Sequence, residues 1–242
     1  MDAAPTAPAP AQPAARAPRA RKARADDGVP QHDALVSGIG WWVSRLVIKR
    51  WFGLTFVNRH HIPKNGPALI IGNHPCYLDP FIVGLGTRRW ITWMAWEDAF
   101  SWPGLGTLVR RFGALPVNLE KPAPSTFKTS VATLKAGHLL GMFFEGQRSR
   151  GYDLDPPKRG GARLALMAGC PVVPVSVAGA RRLWPLDKPL PVRPGAVTIR
   201  YHAPIDPASV LPGAPRAERE ERLTNLIADA IRSGLPPDGK HR

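Results

Sequence analysis

Ala68-Leu69-Ile70-Ile71-Gly72-Asn73-His74-Pro75-Cys76-Tyr77-Leu78-Asp79 changes character at its middle. Five apolar residues closed by Asn-His-Pro spell a short buried strand that ends in a turn. Residues 77–86 then resume a helical pattern. The alternation continues downstream. Residues 97–112 read as helical and Ala114–Val117 as a short strand. Ser125–Leu140 is predicted as a helix, with Ser125 as N-cap and Val131, Leu134 and Leu139 on its apolar face. Gly141–Phe144 is strand-like, and Gly160–Ala168 is a helix closed by Gly169. Val172–Val177 and Val197–Tyr201 are strands, and Arg216–Ile231 is a charged helix. This order predicts an α/β domain with a mixed central sheet flanked by helices. Two polar motifs fall just after the carboxyl ends of the strands at 68–72 and 141–144. Open α/β sheets build their sites at that edge.

Outward from this core, the 242 residues suffice for one sizeable domain with tails, and a hydrophobic content of 44% supports a core. Residues 1–33 are low-complexity Ala/Pro sequence, expected to be a disordered tail. Residues 34–57 mix Trp41, Trp42, Trp51 and Phe52 with Arg45, Lys49 and Arg50. The basic residues interrupt the apolar run too often for a spanning helix. The segment reads as amphipathic helices lying at a membrane interface, or as helices packed on the domain with their basic residues in water. Residues 58–235 form the expected folded domain, and 236–242 a flexible C-terminal tail. No apolar signal segment is expected at the N-terminus.

The formal charge is +15. Residues 1–33 carry five basic and four acidic residues, so about +14 belongs to 34–242. A DNA-binding arm would show the reverse. A basic body fits an anionic membrane face, a phosphate-bearing substrate or RNA. No nucleic-acid motif or base-stacking platform is evident, so no nucleic-acid partner is expected. Cys76 and Cys170 have neither framework nor metal spacing and read as reduced, buried thiols of a cytoplasmic protein. His60 and His61 are adjacent, which does not suit chelation, and no His-Glu-x-x-His is present, so no metal is expected.

Four stretches can carry chemistry. In Asn73–Asp79, His74 is a natural general base near neutral pH, and Asp79 could accept its Nδ1 proton. That is serine-hydrolase logic with a substrate hydroxyl in the serine's place. It requires a turn at His74-Pro75, with Pro75 at the first helical position and Asp79 one turn in, because in one continuous helix the two side chains diverge. Taken alone, the stretch also reads as a structural turn beside a solvated carboxylate. In Phe143–Arg150 an apolar strand ends in Glu145-Gly146-Gln147-Arg148. Gly146 permits a close turn, and Arg148 offers a planar fork for phosphate. Glu145 could bind substrate hydroxyls, hold an arginine, or sit in a polar loop. Lys158-Arg159-Gly160-Gly161 opens a helix as a weak anion seat without the Walker pattern. In the strand at 172–177, Pro174 hints at an interrupted or edge position that could leave a neighbouring wall open to an acyl chain.

Together these blocks resemble the glycerolipid acyltransferase family, specifically bacterial-type 1-acyl-glycerol-3-phosphate acyltransferases. The resemblance runs from about Phe56 to Pro204. Asn73-His74-Pro75 through Asp79 matches the family's Asn-His-x-x-x-x-Asp. Phe112–Val117 resembles the second block, Phe143–Ser149 the third (Phe-Pro-Glu-Gly-Thr-Arg-Ser), and Val172–Val175 the fourth. The resemblance implies that His74 deprotonates an acceptor hydroxyl, that Asp79 orients it, and that the hydroxyl attacks the thioester of acyl-CoA or acyl carrier protein. It places Asn73, Glu145, Gly146, Arg148 and Lys158 in the acceptor site, with Arg148 on the phosphate. It also implies a lysophospholipid acceptor, attachment at the cytoplasmic face of the cell membrane, and no cofactor beyond the acyl donor. The second family block usually ends Pro-Val-Asp-Arg. Here Asn118-Leu119 follow Val117, so the arginine is missing, and Lys121 two residues on is its candidate replacement. The third block has Phe144 for Pro and Gln147 for Thr.

Overall fold

Residues 38, 43, 47, 49–118, 123–149, 154–184 and 196–236 are described by a computed structural model. The tail read at 1–33, residues 237–242 and Lys121 lie outside these. Among the described residues, seven strands form one sheet: β1 (Leu54–Val57), β2 (Ala68–Gly72), β3 (Ile91–Trp96), β4 (Leu115–Val117), β5 (Leu139–Phe143), β6 (Val172–Ala178) and β7 (Val197–Tyr201). Their order is β1-β7-β6-β2-β5-β3-β4, parallel throughout except for the antiparallel β6–β7 pair. The sheet is therefore mixed, as expected. Helices α1 (Asp79–Gly84), α2 (Leu105–Arg111), α3 (Pro124–Lys135), α4 (Gly160–Ala168) and α5 (Arg216–Ser233) flank it.

The unbroken apolar run of β2 is what a central parallel strand needs, since both its faces are covered. All five of its residues are buried. Successive side chains point to opposite faces, so Ile70 joins a core with Val173, Val175, Ile82 and Tyr201. Leu69 and Ile71 join the other, with Leu134, Leu164, Leu223 and Ile227 from α3, α4 and α5.

Several expectations are corrected. Most of the segment read as helices at 34–57 lies outside the described residues, but Leu54–Val57 is edge strand β1, paired with β7. Gly53, at φ 58°, ends the helix, and the domain starts there rather than at residue 58. The pattern at 97–112 splits into a 3-10 turn (Glu97–Phe100) and α2, broken by Pro103-Gly104. Strand β3 was not anticipated, because Trp93, Met94 and Trp96 mask the period of two by serving a cavity (below) as well as the sheet. The helix predicted to reach Leu140 stops at Lys135, since Gly137 turns at φ 91° and releases Leu139 and Leu140 into β5. Its N-cap is Ala123 followed by Pro124, not Ser125. Pro174 is not at an edge: β6 pairs with β2 on one side and β7 on the other. The register slips by one residue between Val175↔Tyr201 and the bridge Val172↔Ile205. Pro174 sits in that bulge, where a missing N–H costs no ladder bond.

Helices α4 and α5 are joined through Glu220, whose carboxylate accepts from Arg216 Nε at 2.7 Å and Arg163 Nε at 3.3 Å. Burial alone would raise this carboxyl, but the two arginines hold it below the ordinary glutamate range. A carboxyl depressed in the fold stabilises above its unfolded pKa and loses that contribution as pH falls through the folded value. Glu220→Gln is expected to cost roughly 1 kcal/mol at neutral pH, modest because both arginines are largely exposed. Thermal melts in acid should show the difference vanish.

Candidate active site

Strand β2 delivers the chain to the carboxyl edge of the sheet, and Asn73 anchors it there. Its Nδ2 donates to the Val177 carbonyl at 3.0 Å and its Oδ1 accepts from Val177 N–H at 2.8 Å. The side chain continues the β2–β6 ladder, is buried, and does not line the cavity. Asn73, expected among the substrate-binding residues, thus ties the start of the turn to β6.

The turn that follows brings His74 and Asp79 together. His74 Nδ1 lies 2.7 Å from Asp79 Oδ2, which also accepts the Cys76 N–H at 2.7 Å. Asp79 is itself the first residue of α1, with Pro80 next, so the helix starts four residues later than a Pro75 start would place it. The His74 ring stacks on Phe143, with centroids 3.9 Å apart and planes at 8°, and Phe143 stacks on Trp93. Gly141 permits that stack: a Cβ there would meet the Trp93 ring at 2.5 Å. With Nδ1–H held by the carboxylate, Nε2 is the ring's acceptor. Asp79 is fully buried. Desolvation pushes its carboxyl up, while the His74 hydrogen bond and charge, the Cys76 N–H and Arg148 pull it down. Oδ1 has no hydrogen-bond partner among the described residues. Burial, then the Asp79 charge, push the Cys76 thiol up to about 12, so it supplies no thiolate nucleophile.

Glu145 is also buried, and its oxygens are occupied: Oε1 accepts from His74 N–H at 3.0 Å, Oε2 from Ser149 Oγ at 2.6 Å and Asp155 N–H at 3.3 Å. It joins two loops and does not line the cavity. In the structure its carboxylate is spent on these loop contacts, where the resemblance implied a grip on the acceptor. Desolvation raises its carboxyl, with Ser149 the largest opposing contact. Gly146, at φ 75°, lets Lys158 close over the turn: a Cβ would stand 2.8 Å from Nζ. Arg148 donates from Nη2 to Tyr77 Oη at 2.7 Å, and its guanidinium carbon lies 3.6 Å from the Tyr77 ring centroid. Its Nη1 is buried with no hydrogen-bond partner among the described residues. Nothing in the spacing of the sequence signals Tyr77 as the seat of Arg148.

These groups open on a cavity of about 1190 Å³. His74, Gly146, Arg148 and Lys158 line its polar part, while Trp90, Trp93, Met94, Phe112, Phe127 and Leu164 supply apolar wall. Phe112, Ala114 and Val117 of the second block are thus apolar lining. Strand β6 contributes no lining, and the apolar wall of the cavity is built by β3, β4 and their helices rather than beside Pro174. Among the described residues, no group of three or more His, Cys, Asp or Glu is placed to hold a metal.

The family described as Acyltransferase matches residues 53–178, just over half the chain, from the start of β1 to the end of β6. The chain belongs to the Acyltransferase family. Within this acyltransferase set, the 1-acyl-sn-glycerol-3-phosphate acyltransferase of Bacillus subtilis (strain 168) is 31% identical over 52% of this chain and 63% of its own. The Limnanthes douglasii protein of the same name is 29% identical over 71% of this chain and 59% of its own. The chain thus spans less than two thirds of the length of these relatives. The crystal structure of the 1-acyl-sn-glycerophosphate (LPA) acyltransferase PlsC from Thermotoga maritima has the same fold, with a TM-score of 0.61, 20% identity, and 82% and 81% of the two chains covered.

Proposed function

We propose that this acyltransferase moves a fatty acyl group from acyl-CoA or acyl carrier protein to the free hydroxyl of 1-acyl-sn-glycerol-3-phosphate, giving phosphatidic acid. One observation carries the reading: a His74–Asp79 pair at 2.7 Å opens on a large apolar cavity beside Arg148. Asp79 holds the Nδ1 proton, and Nε2 takes the proton of the acceptor hydroxyl. The oxygen attacks the thioester carbonyl, the C–O bond forms, and the tetrahedral adduct expels the thiolate. His74 returns its proton to the leaving sulfur, so the cycle closes without a cofactor. Arg148 and Lys158 face the acceptor phosphate. The basic body, about +14 over residues 34–242, supports a site at the cytoplasmic face of the membrane, whose leaflet is the anionic one.

The second reading keeps the chemistry and changes the acceptor to another lyso-lipid or a lipid glycan. Leu119 favours it, standing where the family has a phosphate-binding arginine. Purified protein with labelled acyl-CoA or acyl carrier protein and a panel of lyso-lipids separates the two. The lysophosphatidate reading expects that acceptor to have the highest kcat/KM. A different best acceptor selects the second reading, and no thioester consumption with any acceptor removes both in favour of a non-catalytic basic membrane-binding protein. Arg148→Ala should raise KM for a phosphorylated acceptor roughly 10- to 30-fold, with a smaller change in kcat. An equal loss toward an uncharged acceptor would contradict the phosphate role.

A further inference from the structure

Tyr77 lies inside the turn that pairs His74 with Asp79. That turn is tied across its base: Cys76 N–H donates to Asp79 Oδ2 at 2.7 Å, and Asp79 N–H donates to the Cys76 carbonyl at 3.2 Å. The Tyr77 side chain is exposed and lines the cavity, as His74 does. Imidazole and phenol are therefore carried on one short turn and open on the same space.

The phenol ring is held from two directions. Trp184 meets it edge to face, with centroids 5.3 Å apart, and the Arg148 guanidinium carbon lies 3.6 Å from its centroid. A phenylalanine ring would satisfy both contacts. The hydroxyl has a separate use. A guanidinium has donors only, so in the 2.7 Å contact with Arg148 Nη2 the tyrosine oxygen is the acceptor. Its own proton is left unspent, since Arg148 is the hydrogen-bond partner of Tyr77 Oη among the described residues. Arg148 Nη1 also lacks a partner among them. Two donors on touching side chains thus lack an acceptor, and both residues line the cavity.

We infer that Tyr77 is itself a headgroup ligand, its phenol O–H donating to one phosphate oxygen of the acceptor while Arg148 donates to another. A phosphomonoester presents three strong acceptor oxygens, and Tyr77, Arg148 and Lys158 supply a donor for each. A phosphodiester headgroup has fewer free oxygens and leaves one of these donors idle. The phenol also adds a contact to a chain in which Leu119 stands in the place of an arginine. The inference rests on the phosphorylated-acceptor reading above and names a further residue of that site.

Tyr77→Phe keeps the ring between Trp184 and Arg148 and removes only the hydroxyl. The KM for lysophosphatidate should rise about tenfold, the loss of one hydrogen bond to a charged group, with smaller changes in kcat and in KM for acyl-CoA. Lysophosphatidylcholine should lose less. A hydroxyl that only seats Arg148 is separated by a double-mutant cycle. In an Arg148→Ala background, Tyr77→Phe should still lower kcat/KM for lysophosphatidate at least about threefold. No further loss there overturns the inference. So does a rise confined to the KM for acyl-CoA, which would put a phosphate of the donor at the phenol. In parallel, short-chain lysophosphatidate is titrated calorimetrically into the full chain without an acyl donor, with the matching monoacylglycerol as control. Tyr77→Phe should weaken binding of the phosphorylated lipid about tenfold and that of monoacylglycerol less. Equal affinity of the two proteins for lysophosphatidate overturns the inference. A chain that shows the binding difference yet transfers no acyl group removes the function and not the phenol contact. Acylation of lysophosphatidate by Tyr77→Phe at wild-type KM removes the contact and not the function.

Discussion

His74→Ala is expected to lower kcat/KM for acyl transfer by about 10²–10⁴-fold, the usual contribution of a positioned general base. The residual rate belongs to the cavity and to the groups that hold the acceptor, which alanine leaves in place. The backbone of residue 74 keeps its bonds to Glu145 and Ser149, since both use main-chain atoms. The fold should therefore persist, with a lower thermal midpoint from the lost ring stack on Phe143. Alanine also leaves a ring-shaped space above Phe143, so added imidazole should restore part of the rate. Turnover within tenfold of wild type would remove His74 from the chemistry.

Asp79→Asn should lower kcat at least about 10²-fold with little change in either KM, because the carboxylate acts through the imidazole rather than on substrate. Two orientations are open to the amide. If its oxygen replaces Oδ2, it accepts from Cys76 N–H and His74 Nδ1–H but no longer stabilises the imidazolium by charge. If its NH₂ faces Nδ1, the proton moves to Nε2 and the base is lost. Stability should move the other way. A carboxyl whose folded pKa is raised binds its proton more tightly when folded, so ionised Asp79 subtracts from stability at neutral pH, and the penalty eases as pH falls. Asparagine removes that charge. The variant should melt at or above wild type at pH 7, with the gap narrowing in acid. A midpoint well below wild type would mean the pair's attraction outweighs its burial.

The sequence revealed central strands well, because a strand covered on both faces has no period to disguise. Strands β2, β6 and β7 and helix α4 stand where their apolar runs and the closing Gly169 put them. Strands β1 and β3 were harder. Strand β1 merged with the preceding helix because a single Gly53 separates them, and β3 is built for a cavity as much as for the sheet. At the site, residue types were legible and their division of labour was not. Spacing marks His74 and Asp79 as a pair. Nothing in the sequence says that Asn73 and Glu145 spend their polar atoms on the backbone and on Ser149, or that Tyr77 seats Arg148.

The single carboxylate of Glu145 fastens the main chain of His74 to the loop that carries Arg148 and on to Asp155. A change of acceptor that works by shifting that loop must also drag the imidazole. Altered taste for headgroups should therefore arise through positions outside this knot, such as Tyr77. Variants of Glu145 itself should lose rate and selectivity together.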